Sequence, residues 1–588
     1  MQLRGVFPAL LCSVLTATLG HAALLQNFAD LPTNVNYDFI IVGGGTAGNV
    51  LANRLTENSM YRVLVLEAGP SDAGIFEAEV PFLAASLINP GPYEWNYTTV
   101  VQPGLGGRSI AYPRGHVLGG SSTTNWLVYT RGSSEDFNRY ASVTGDSGWS
   151  WNSILPYYKK SEKWTQPQDG HNTTGQYTPS VHGFNGLVGN GLPNFPTPID
   201  GKVITATSQL GGEWAYNQDF NAGNPIGLGW AQSTIKDGSR SSSSTAYLGG
   251  SFINRPNLYV LVNAQVSRLI RTSTGSTPGF RRVEFRQTDG TLRQLSATKE
   301  IILSAGSIGT PHILLNSGIG KASDLNAVGV TPLVDLPDVG GNLSDHPVIG
   351  NPWLVSGSET FETIRRDPSA ALAEWQATKT GPYSNTLLEH VGFSRVPSSL
   401  VPSPDTAAGP NTPHFEMIVS NGVPPFLPPS GNFLTLTTIV VSPSSRGSVK
   451  LGSSNPFDAP LIDPGLLKTS FDKLAMREAI KAAMRFADAP VWTDYIVGAV
   501  GFGESDTDAE LDAYVAANAG TLFHPVGTAS MSKKNAAGGV VDPDLKLKKV
   551  VGVRVVDASV LPYVPSAHTV APVYAVAERA ADLIKASY

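Results

Sequence analysis

The run Tyr37-Asp38-Phe39-Ile40-Ile41-Val42 passes directly into Gly43-Gly44-Gly45-Thr46-Ala47-Gly48. Phe39 to Val42 is apolar and β-branched, which suits a parallel strand buried on both faces. The glycines allow a sharp turn and a close backbone approach, so that N–H groups at the next helix start can face a pyrophosphate. Ala47 to Leu55 keeps helical spacing, and Arg62-Val63-Leu64-Val65-Leu66 resumes a buried strand. Glu67 follows 19 residues after Gly48, where a carboxylate can accept hydrogen bonds from an adenosine ribose. A glycine triplet alone is a weak signal, and the flanking strands and Glu67 strengthen it. The fold class expected is α/β, with a Rossmann-like dinucleotide-binding domain.

Further strands are expected at Leu258–Val262, Phe280–Phe285 and Lys299–Leu303. The last leads into Ser304-Ala305-Gly306-Ser307-Ile308-Gly309-Thr310-Pro311, where Pro311 suits a helix start. From about residue 347 to 518 the pattern changes to Pro- and Ser-rich loops, with a strand at Leu434–Val441 and a helix at Phe471–Phe486. This region reads as a second, α+β domain on the substrate side. The chain then returns through Val553-Arg554-Val555-Val556-Asp557 and a terminal helix, Pro572–Lys585. The division expected is 36–345 mainly cofactor domain with inserted substrate-side segments, 346–520 mainly substrate domain, and 521–588 a return carrying the chemistry. Between these lies Tyr112 to Trp126, in which Gly119-Gly120-Ser121-Ser122 lets backbone approach a flat ligand while hydroxyls reach its polar edge.

Residues 1–22 read as a secretory signal: Arg4, a mostly apolar Val6 to Leu19, then Gly20-His21-Ala22. The single cysteine, Cys12, lies inside it, so the mature chain is expected to be extracellular and free of disulfides. Acceptor triplets at Asn96, Asn172 and Asn342 fit that reading as candidate N-glycan sites, with Asn342 next to a glycine-rich turn that could bury it. The net charge is -6, or about -7 once Arg4 is removed, and no basic cluster is present, which argues against nucleic-acid binding. No segment is expected to cross a membrane.

Two histidines carry the chemistry. His524 lies in Phe523-His524-Pro525-Val526-Gly527, and His568 follows 44 residues later in Ser566-Ala567-His568-Thr569. Oxidising an alcohol removes a hydroxyl proton and a carbon-bound hydride. Histidine can take the proton, whereas the hydride needs a cofactor such as a flavin. His524 is the candidate base, and His568 the candidate partner for the substrate oxygen. No metal site is expected, since no His-Glu-x-x-His run occurs. The Gly-x-Ser-x-Gly elbow of serine hydrolases is also missing.

With these segments in this order, the chain resembles the glucose-methanol-choline (GMC) oxidoreductases over almost its whole mature length. The resemblance rests on Gly43 to Gly48 with Glu67, Gly115 to Asn125, Gly306 to Pro311, Ser317 to Gly320, and the two histidines. It implies FAD, with Gly43, Gly45, Gly48 and Glu67 at the adenosine-diphosphate end and Gly119, Ser122 and Asn125 on the flavin side. Val266, Asp557 and Ala558 complete the cofactor-binding set it implies. Within the family the similarity is to the fungal aryl-alcohol oxidase branch, through Tyr93 to Tyr97, Glu135 to Tyr140 and Arg240 to Tyr247. That implies a pocket of Trp126, Phe426 and Phe523, a small-molecule aromatic or conjugated alcohol as substrate, and O2 as electron acceptor. Two positions depart from that branch: Pro424, where a gating aromatic is usual, and Val570, where glutamine is usual. The pyranose dehydrogenase branch links FAD covalently through a histidine whose position here is Thr124, so noncovalent FAD is expected. A monomer is expected. The alternatives are an extracellular sugar dehydrogenase using quinones, and a non-catalytic protein on the same fold.

Overall fold

The computed structural model describes residues 24–588 apart from 274, 276 and 504. The expected signal segment, with Cys12, lies outside the described residues. Tyr37–Val42 sits between Val63–Leu66 and Leu292–Leu303, parallel to both, with Ile41 opposite Val65 on one side and Ile302 on the other. Leu258–Leu261 and Leu24–Leu25 extend one edge in parallel, and Val553–Val555 pairs in parallel with the end of Leu292–Leu303. The first half of Leu292–Leu303 instead pairs antiparallel with Gly279–Arg286, which pairs with Gln265–Ser273. Val42, Leu66, Leu303 and Val555 fall in register at one end of the sheet. Open α/β sheets bind ligands at this carboxyl end.

Helix Thr46–Leu55 packs against the terminal helix Val570–Lys585. Their contact includes a buried Glu578, which accepts from Arg54 at 2.8 Å and from the Tyr247 hydroxyl at 2.9 Å. A second, seven-stranded sheet is antiparallel and runs Ile496–Ala499, Pro347–Val355, Phe433–Val440, Phe415–Ser420, His390–Ser394, Gly227–Trp230, with Gly520–Thr521 on Pro347–Val355. Strand alternation gives it two different faces. Leu434, Leu436, Met417 and Val419 join the core under helix Ser470–Ala487, whereas Ile418, Thr435 and Thr437 turn to a cavity. Thr469 caps that helix, its hydroxyl accepting from the Asp472 N–H.

One local expectation is corrected. Pro311 does not open a helix; it lies inside Gly306–Asn316. A proline there leaves the carbonyl four residues earlier without its helical donor. The Ser307 carbonyl instead accepts the Thr528 hydroxyl at 2.7 Å, which offsets the loss.

Candidate active site

A cavity of about 970 Å³ lies between the carboxyl ends of the parallel strands and the inner face of the second sheet. Gly43, Gly45, Glu67, Ser122, Asn125, Val266, Asp557 and Ala558 line its first part. Gly48 and Gly119 lie behind that lining. A Cβ on Gly48 would come within 1.9 Å of the Gly43 carbonyl, so this glycine is required by helix–strand packing. The Gly119 N–H donates to the Gly44 carbonyl at 2.7 Å and ties the two glycine segments together. Gly45, which precedes helix Thr46–Leu55, offers no side-chain cap, so the first N–H groups stay free beside Thr46 and Ala47 in the cavity wall.

The Glu67 carboxylate accepts from the Gly44 and Gly69 N–H groups, each at 2.8 Å, and burial pushes it up to about 7. The Asp557 carboxylate is spent on protein: it accepts from the Gly306 N–H (2.9 Å), the Thr310 hydroxyl (2.6 Å) and the Ser559 N–H (2.8 Å). It therefore anchors the Gly306–Asn316 helix, and only its position at the cavity wall meets the cofactor expectation. The buried Ser304 hydroxyl, also in the lining, has no partner. An uncapped helix start, glycine backbone at Gly43 and Gly45 and an unsatisfied hydroxyl fit a bound dinucleotide.

The second part of the cavity brings together Thr124, Trp126, Phe523, His524 and His568, walled by Leu388, Ile418 and Val348. Phe426 also lines the cavity. It belongs to the loop after Gly422 and stands at the mouth, 73% exposed, held through its carbonyl by Arg365. The His524 and His568 rings are 4.8 Å apart, nearly perpendicular at 78°, and both are buried. Phe523 adopts φ +64°, a left-handed conformation held by the Thr521 hydroxyl on its N–H and by Arg114 on its carbonyl. Strain of this kind persists where the surroundings enforce it. Asp345 supplies much of that enforcement. Its carboxylate accepts from the N–H groups of His524 (2.8 Å) and His346 (2.7 Å) and from the hydroxyls of Tyr112 (2.5 Å) and Thr521 (2.6 Å).

His346, Asp345 and Glu416 went unrecognised in the sequence. The Nδ1 atoms of His346 and His524 are 3.1 Å apart, so one nitrogen donates and the other accepts. Burial, with His568 nearby, pushes His346 down to about 3, so it is neutral. Its Nε2 is buried with no hydrogen-bond partner. With His346 Nδ1 as the acceptor, His524 Nδ1–H is the donor and His524 Nε2 is free to take a proton. Burial also pushes His524 well below 6.5, helped by His568, His346 and Arg114. His568 Nε2 meets Glu416 Oε1 at 2.9 Å, and the other Glu416 oxygen is buried and unpartnered. A signal for Glu416 existed: it is a lone acid inside the apolar strand Phe415–Ser420. His346 lay in Asp345-His346-Pro347 with no local pattern to single it out.

Among the described residues no group of three or more His, Cys, Asp or Glu could hold a metal ion, and no helix is long and apolar enough to cross a membrane. Asn172 is exposed, and its side-chain oxygen accepts from Thr174. Asn342 is exposed rather than buried, yet its side-chain nitrogen donates to Ser530 (3.0 Å) and the Pro562 carbonyl (2.9 Å). Asn96 is likewise exposed with its nitrogen bonded, to the Gly91 and Glu94 carbonyls.

A glycine-lined dinucleotide cleft opening onto two facing histidines defines a class of redox enzymes. Residues 37–348 match the N-terminal domain of the GMC oxidoreductases and residues 443–577 the C-terminal domain, so the chain belongs to the GMC oxidoreductase family. Family membership implies FAD as the cofactor. The chain is 42% identical to dehydrogenase eriK of Hericium erinaceus over 99% of both chains. It is 41% identical to pyranose dehydrogenase 3 of Leucoagaricus meleagris over 96% of each. A solved fungal aryl-alcohol oxidase superposes with TM-score 0.81 at 26% identity, over 94% of this chain and 99% of that one.

Proposed function

We propose that this chain is a secreted, monomeric FAD-dependent oxidase that converts an aromatic or conjugated primary alcohol to its aldehyde and passes the electrons to O2, giving hydrogen peroxide. The juxtaposition of His524 and His568 at 4.8 Å inside an apolar wall carries this reading. Residues 36–345 and 521–588 chiefly hold the cofactor, and 346–520 chiefly shape the substrate side. Gly43, Gly45, Gly48 and Glu67 form the adenosine-diphosphate seat, while Gly119, Ser122, Asn125, Val266, Asp557 and Ala558 form the flavin side. When bound, FAD supplies the hydride acceptor that no side chain can provide.

The chain's residues do the rest. His524 takes the hydroxyl proton at Nε2, the nitrogen left bare by the bond from its Nδ1–H to His346. His568, held through Nε2 by Glu416, is the partner for the substrate oxygen, and it steadies negative charge growing there when both its ring nitrogens carry protons. Trp126 and Phe523 supply flat walls for a conjugated ring, and Phe426 stands where the ligand enters. Thr124 offers a hydroxyl at the position where a histidine linkage occurs in pyranose dehydrogenases, which supports noncovalent FAD.

A second reading, a sugar dehydrogenase preferring quinones, is supported by the 41% identity to pyranose dehydrogenase 3. One experiment separates the readings. Purified protein is examined for a flavin spectrum, then treated anaerobically with anisyl alcohol or with glucose, and air is readmitted. Bleaching by anisyl alcohol with fast recovery in air is expected. Bleaching by glucose with slow recovery favours the dehydrogenase, and a flavin that neither alcohol bleaches favours a non-catalytic protein.

A further inference from the structure

Four arginines among the described residues are buried: Arg131, Arg240, Arg554 and Arg579. Three of them meet a carboxylate, Arg131 with Glu162 at 2.7 Å, Arg554 with Glu300 at 2.6 Å and Arg579 with Asp146 at 2.6 Å. Arg240 meets none. Its Nε donates to the Ala78 carbonyl at 2.7 Å. Its Nη1 donates to the Asn125 carbonyl (2.8 Å), the Asn125 side-chain oxygen (2.7 Å) and the Ser122 carbonyl (3.3 Å). Its Nη2 is buried with no partner at all. The one nearby ionisable group is the Tyr574 phenol, itself pushed up by burial and so neutral.

A full charge without a counter-ion inside a protein is strongly unfavourable, and a buried cation is normally retained only with an anion beside it. Burial alone drives the Arg240 guanidinium down to about 9. The two residues it grips, Ser122 and Asn125, face the cavity that fits a dinucleotide. Behind the same turn, the Ser243 hydroxyl donates to the Gly45 carbonyl at 3.1 Å, joining the segment that carries Arg240 to the glycine loop.

We propose that Arg240 is the counter-charge built into the protein for its anionic cofactor: it fixes the Ser121–Asn125 turn from behind, and its charge is balanced only when the negatively charged dinucleotide is bound. It is a positioning residue that touches no reacting atom: its hydrogen bonds hold Ser122 and Asn125, and its charge acts on the dinucleotide through space. The inference rests on the FAD reading of the cavity and goes beyond it by assigning the charge balance to one side chain.

The test uses the full-length holoprotein and follows FAD release by flavin fluorescence on dilution, with circular dichroism to confirm the fold. R240Q keeps hydrogen-bond donors without charge, R240M keeps neither, and R240K keeps the charge with different donor geometry. The expected result is an FAD dissociation constant at least tenfold weaker for R240Q and R240M, with R240K within about threefold of the unaltered protein. Retention of FAD by R240Q would overturn the proposal and leave Arg240 a hydrogen-bonding clamp. Loss of FAD from R240K as severe as from R240Q would overturn it equally. R240Q and R240K between them separate charge from clamp even if R240M fails to fold. An unaltered protein that never carries FAD would instead remove the cofactor reading itself.

Discussion

The rate of anaerobic flavin bleaching by an alcohol should be nearly flat from pH 8 down to pH 5. His524 must be neutral at Nε2 to take a proton. Burial, reinforced by His568, His346 and Arg114, holds its imidazole well below 6.5. An ordinary histidine, titrating near 6.5, would be only about 3% neutral at pH 5 and would slow about 30-fold. A lowered value moves that loss down: the base stays competent until pH falls through its own depressed pKa. Stopped-flow reduction with anisyl alcohol at saturating concentration gives the rate constant directly, and a change within about twofold between pH 8 and 5 is expected. A fall of about 30-fold centred near pH 6.5 would refute the reasoning. It would mean that the low-dielectric packing of His524 against His346 does not set the state of the base. Substituting His346 by Ala removes the acceptor that fixes the His524 tautomer. The plateau rate should then drop at every pH, without a shift of the flat region toward acid.

Four further outcomes follow from particular contacts. Replacing His524 with Ala should slow flavin reduction by about 10² to 10⁴-fold, the usual contribution of a positioned base, while the visible spectrum still shows bound FAD. Glu416→Gln removes the charge from the 2.9 Å bond to His568 Nε2, and should slow reduction about tenfold with little change in FAD retention. Gly48→Ala forces a Cβ to within 1.9 Å of the Gly43 carbonyl, so about 2 kcal/mol or more of stability should be lost and FAD released, read by thermal unfolding and fluorescence. In a secreting host, Asn172→Gln should lower the glycosylated mass and Asn342→Gln should not, because the Asn342 nitrogen already donates to Ser530 and Pro562.

The parallel sheet was legible because its strands are contiguous apolar runs with glycine at their carboxyl ends, a pattern that local sterics and burial both demand. The extension of these strands beyond the expected limits, to residues 37–38 and 292–298, was not, since the added residues mix polar with apolar and pair only because neighbouring strands are there. Pro311 misled in the same way: its cost inside a helix is met by the Thr528 hydroxyl, which lies 221 residues away from the carbonyl it satisfies. Phe426 lines the cavity, but its local sequence did not disclose that the loop carrying it leaves it 73% exposed.

The site divides along the same line. Residue types that chemistry requires, a base and an oxygen partner, could be read from two histidines in their sequence settings. The state of those histidines could not. Which nitrogen of His524 is bare depends on His346, 178 residues earlier, and the bond that orients His568 comes from Glu416, 152 residues earlier. Each of those partners sits within or beside an apolar strand of the second sheet, in Phe415–Ser420 or just before Pro347–Val355. A charged or titratable residue in such a strand is costly unless something across the sheet receives it. The same cost applies to Arg240, which meets no carboxylate and leaves Nη2 without a partner. Buried polar residues that break an apolar pattern therefore mark where this sequence departs from folding requirements toward chemistry. They identify their partners only once the second sheet is laid against the first.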